Sequence, residues 1–75
     1  MLNNALVLSM SGHWAERLER QLGDVRSRVR TAFYEALGRA PEKTEEDRLI
    51  AFASQHGLAS FCRLLFNLNE FAFVD

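Results

Sequence analysis

The most constraining feature of this chain is a stretch near its end that is apolar on every side of a helix. Leu58, Phe61, Cys62, Leu64, Leu65, Phe66 and Leu68 fall all round the wheel of a helix predicted from Leu58 to about Asn69. A helix without a polar face belongs in the middle of a structure, covered by neighbours on several sides. Five of the six phenylalanines lie after position 50, so the C-terminal third supplies most of the core. The remaining segments must be laid around it.

Glycine and proline say where those segments stop. Gly23, Gly38 and Gly57 each follow an apolar-periodic stretch, and Pro41 stands three residues past Gly38. Glycine just beyond a helix end, with proline shortly after, is the expected stop signal. The first segment is predicted from about Asn4 to Leu22, capped by Asn3 or Asn4, with Val7, Trp14, Ala15, Leu18 and Leu22 near one face. Ser11-Gly12 inside it marks a kink or a break into two helices, because glycine is unfavourable there by about 1 kcal/mol. The second runs from Val25 to Leu37 behind an Asp24 cap, and Val25, Val29, Ala32, Phe33 and Ala36 make its apolar stripe. The third is predicted from about Glu45 to His56. Thr44 is its cap, Asp47 holds the capping-box position, and Glu45 and Glu46 lie in the positive first turn. Phe71–Val74 alternates, but over too few residues to make a strand. The fold class expected is all-α: a compact three- to four-helix bundle with short loops, residues 1–75 forming a single helical module.

A chain this short buries only about 60% of the surface its unfolded form exposes, so the margin of stability is modest. With 48% hydrophobic and 25% charged residues it is nonetheless far from the composition of disorder. No apolar run approaches the ~20 residues needed to span a bilayer, and no signal peptide is visible at the N-terminus.

The residues that could carry chemistry are few. His13 and His56 lie on different predicted helices, each without a Cys, His or carboxylate at ligand spacing, so no metal site and no cofactor are expected. Cys62, the one cysteine, sits inside the apolar helix and reads as a buried, inert thiol. No phosphate-binding glycine loop, Ser/His/Asp set or CxxC pair is present, and no catalytic residue is assigned. Arg26, Arg28 and Arg30 form the basic cluster, extended by Arg17 and Arg20. They read first as a solvated face paired with Glu16, Glu19 and Asp24. The alternative is a small helical nucleic-acid-binding domain, which the net charge of −1 and the acids opening the third helix disfavour.

Two segments resemble a known family. They are Ala36-Leu37-Gly38-Arg39-Ala40-Pro41, followed by Thr44-Glu45-Glu46, and Leu65-Phe66-Asn67-Leu68-Asn69-Glu70-Phe71-Ala72-Phe73-Val74-Asp75, with Leu2-Asn3-Asn4 opening a helix as a weaker third. Together they resemble the C-terminal part of a planctomycete-specific domain of unknown function, found at the end of large proteins that also carry cytochrome c-like domains. The resemblance implies an exported parent protein of which this chain is the C-terminal piece. It implies no catalytic residues and no haem here, since the chain lacks a Cys-x-x-Cys-His motif. The function expected is therefore a non-catalytic structural or interaction module, packing on other domains of the parent or self-associating. Its candidate residues are Arg39, Asn69, Glu70, Phe61, Leu65, Leu68 and Phe71. Arg39 is expected to tie the exit of the second helix to Glu70 or Asn69 by charge-assisted hydrogen bonds.

Overall fold

A computed structural model describes the backbone of residues 5–74 and the side chains of residues 5–68. Among these residues the chain is all-α: α1 Ala5–Gln21, α2 Val25–Leu37, α3 Lys43–His56 and α4 Leu58–Val74. The expected Asn3 or Asn4 cap lies outside the described residues. The Cα radius of gyration is 11.6 Å, close to the ~11 Å of a tightly packed chain of this length.

The boundaries of α2 follow the sequence. The Asp24 carboxylate accepts from the Ser27 N–H at 3.4 Å. At the other end Gly38 turns left-handed at φ 76° and donates its N–H to Tyr34 O at 2.8 Å, a conformation that disfavours any residue with a Cβ.

Three expectations are corrected. First, α1 passes through Ser11-Gly12 unbroken. Ser11 is buried against the bundle, and packing holds the helical path that glycine alone would loosen. Second, α3 starts two residues early, and its cap is Glu42, not Thr44. Glu45, rather than Asp47, closes the capping box, taking the Glu42 N–H on Oε1 at 2.9 Å. Pro41 pins the approach, so the residue directly after it becomes the cap. Third, α4 runs on to Val74, five residues past the expected end, and Phe71–Val74 is helix. No glycine or proline follows Gly57. Asn67, rather than terminating α4, donates its side-chain N–H back to Arg63 O at 3.0 Å.

The core consists of Ala15 and Leu18 from α1, Val29, Ala32 and Phe33 from α2, Ala53 from α3, and Phe61, Cys62 and Leu65 from α4. α4 packs against each of the other three helices, while α1 and α3 do not meet. The apolar helix is thus the hub that its composition requires. It is not covered on every side, however. Phe61, Cys62 and Leu65 are fully buried, Leu64 and Phe66 are half-buried, and Leu68 is 45% exposed. Leu64 and Leu68, one turn apart, form an outward apolar edge.

Glu46, expected only as an acid of the positive first turn of α3, is buried in the bundle. It is 6% exposed, bonded to the Arg26 guanidinium and 3.4 Å from Arg30 Nη1. A carboxylate leaves water at large cost unless it is paired and hydrogen-bonded. Arg26 and Arg30, at i and i+4 on α2, supply both partners, so the basic cluster of α2 clamps α3 in place.

Candidate functional site

An open groove of about 750 Å³ lies where α1, α2 and α4 meet. Met10 and Trp14 of α1, Tyr34 of α2 and Phe66 of α4 give it apolar and aromatic walls, and His13, Arg17, Arg20 and Glu35 supply its polar groups. Tyr34 is 61% exposed and Met10 45%. Leu6, one turn before Met10 on the same side of α1, is 66% exposed and extends the apolar wall beyond the groove.

The floor of the groove is fixed by one carboxylate. Glu35 Oε1 accepts from Trp14 Nε1 at 2.8 Å and from Arg17 Nη2 at 2.7 Å, while Oε2 accepts from Arg17 Nη1 at 3.2 Å. Trp14 and Arg17 stand at i and i+3 on α1, so both reach the same point on α2. The forked Arg17 guanidinium, aided by the Trp14 N–H, holds the Glu35 carboxyl below its ordinary range. With Glu35 neutralised by Arg17, the groove presents Arg20 as its remaining cation, beside an exposed His13.

The sequence-selected residues are dispersed. Phe61 and Leu65 are core, and Leu68 lies on the outward edge of α4. Arg39 is held by Glu45 in a fork, Nη1 to Oε1 at 3.0 Å and Nη2 to Oε2 at 3.2 Å, with its guanidinium carbon 5.0 Å from the Phe33 ring centroid. The expected ends of its tie, the side chains of Asn69 and Glu70, lie outside the described residues, as does that of Phe71. The basic cluster is also engaged within the fold, though not by the acids expected. Arg26 and Arg30 hold Glu46, and Arg28 donates to Leu22 O at 2.9 Å and Glu19 O at 3.4 Å. Burial pushes the Cys62 thiol up to about 12, far from a nucleophilic thiolate. His56 rests against Phe52, ring centroids 4.6 Å apart. Among the described residues no three His, Cys, Asp or Glu side chains gather as a metal set, and no helix is long and apolar enough to cross a membrane.

Sequence reasoning missed Glu35 and Glu46. Glu46 left a legible signal: it stands at i−3, i−4 and i−7 from Leu49, Ile50 and Ala53, in register with the apolar stripe of α3. Glu35 left none, because its partners are 18 and 21 residues away and only the packing of α1 on α2 brings them together.

The Arg39–Glu45 fork has a pH signature. Arg39, and after it the Glu42 N–H, pull the Glu45 carboxyl from 4.5 down to about 2. A carboxyl lowered on folding stabilises the fold above its unfolded pKa, and that contribution is lost as pH falls through the folded value. Thermal melts should therefore show stability falling between about pH 4.5 and pH 2, with a shallower acid limb in Glu45→Gln. Superimposable limbs would show that this fork is not the source.

Fold and groove together define a small all-α bundle with an aromatic, partly cationic cleft. No protein-family model, curated protein or solved structure matches the chain.

Proposed function

We propose that the chain is a non-catalytic helical interaction module whose docking face is the groove between α1, α2 and α4, and that the occupant is a second copy of the chain. The observation carrying this reading is the convergence of exposed Met10 and Tyr34 with Phe66 and Trp14 on one cleft. Aromatic and Met side chains on an open surface are the material of docking sites. Charge supports a second copy as occupant. At a net −1 like copies barely repel one another. The exposed face of α1 also carries both signs, Glu16 and Glu19 beside Arg20, as a self-complementary interface requires.

A nucleic-acid surface built on Arg26, Arg28 and Arg30 would have to surrender bonds that hold α2 to α3 and to the end of α1, which favours the interaction reading. Membership in the planctomycete domain family belongs to the same proposal. It rests on the Ala36–Pro41 and Leu65–Asp75 segments alone, and with it comes docking on other domains of an exported parent as the alternative occupancy of the groove.

Light scattering coupled to size exclusion is expected to show a concentration-dependent dimer. Met10→Asp should return it to monomer without unfolding it, because Met10 is exposed. A monomer at every concentration up to the millimolar range would overturn self-association.

A further inference from the structure

A second recess, of about 170 Å³, shares no residue with the groove. It lies where α1 meets the start of α4 and is lined by Leu8, Ser11, Ala59, Ser60 and Arg63. Three independent features meet there, and among the described residues none of them has a partner.

The first is the opening turn of α4. The leading N–H groups of any helix have no carbonyl behind them and present a partial positive charge. In α2 and α3 these are met by Asp24 and by the Glu42–Glu45 box. α4 instead follows Gly57, which has no side chain, and its first turn contains no acidic residue. The Phe61 N–H bonds Gly57 O at 3.1 Å, whereas the N–H groups of Leu58, Ala59 and Ser60 find no acceptor among the described residues.

The second is Ser11. It is 2% exposed, and its Oγ has no hydrogen-bond partner among the described residues. Native folds rarely leave a buried hydroxyl unpaired, and where one persists it asks for an ion, a water or a ligand. The third is Arg63, one turn along from Ser60. Arg17, Arg26, Arg30 and Arg39 are all ion-paired. The Arg63 side chain has no ion pair or hydrogen bond among the described residues, and no carboxylate lines the recess.

We propose that this recess binds a phosphate group. The donors are the first-turn N–H groups of α4 and the hydroxyls of Ser11 and Ser60, with the Arg63 guanidinium as counter-charge. This combination of a helix N-terminus, short hydroxyl side chains and one arginine is suited to a tetrahedral oxyanion. The group is either free inorganic phosphate or a phosphomonoester whose organic part projects from the open mouth of the recess.

The test is a proton–nitrogen correlation titration of the whole chain with inorganic phosphate, with glycerol phosphate, and with sodium chloride at matched ionic strength. Saturable shifts are expected at Ser11, Leu58, Ala59 and Ser60 with phosphate and not with chloride. Arg63→Gln should weaken them about tenfold or more. Ser11→Ala should also weaken them while leaving thermal stability unchanged or raised, since it removes an unpaired hydroxyl. A response to both phosphates assigns the site to a carried phosphoryl group, and a response to inorganic phosphate alone assigns it to the free ion. Shifts that chloride reproduces, shifts that Arg63→Gln leaves intact, or no local shift at all would overturn the proposal and leave the recess to ordered water.

Discussion

Phe61→Ala is expected to remove most of the stability of the fold, lowering the melting temperature by on the order of 20 °C. Phe61 is fully buried in α4, the helix that touches the other three. Truncating a core phenylalanine to alanine costs about 3–5 kcal/mol, part lost transfer energy and part cavity. A 75-residue domain has about 4–11 kcal/mol to lose. Leu68→Ala is the control: same helix, same chemistry, but 45% exposed, so its effect should stay within about 0.5 kcal/mol. Urea or thermal unfolding followed by circular dichroism checks both. Equal midpoints for the two variants would mean that α4 is not the hub.

The second large effect is expected at Glu46. Glu46→Lys places a third cation in a 6%-exposed position already flanked by Arg26 and Arg30, and should abolish cooperative unfolding at 25 °C. Glu46→Gln keeps the shape and removes only the charge. Arg26 and Arg30 are both about half exposed and rehydrate when their partner is neutral. The cost should then be about 1–2 kcal/mol, below that of a fully buried pair. Glu46→Met tests the role of the site further. Filling a position in the apolar register of α3 with an apolar side chain of similar volume should restore much of the loss. A Glu46→Lys protein that melts like wild type would show that the acid is solvated after all.

The fold was largely legible because its signals are local. Gly38 and Asp24 bracket α2 with groups that act within four residues, and the apolar wheel of Leu58–Leu68 identifies the hub without any knowledge of topology. Errors arose where two local signals competed. Thr44 is a good cap by residue type, but Pro41 fixes the chain two residues earlier, so Glu42 and Glu45 form the box. Ser11-Gly12 weakens a helix in isolation, yet burial of Ser11 between helices keeps α1 whole. The groove was hidden for a different reason. Its Trp14–Glu35–Arg17 floor joins residues about 20 apart through helix packing, and no periodicity within α1 or α2 announces that they meet.

The floor also makes the cleft observable from outside. Trp14 is the only tryptophan in the chain, and its indole N–H is held by the Glu35 carboxylate at 2.8 Å beside the Arg17 guanidinium. The protein's entire indole emission therefore originates at the docking face, from a ring whose surroundings change as soon as anything displaces water from Tyr34 or Phe66. Occupancy of that face can be followed as a change in intrinsic fluorescence, with no label attached and no background from elsewhere in the molecule.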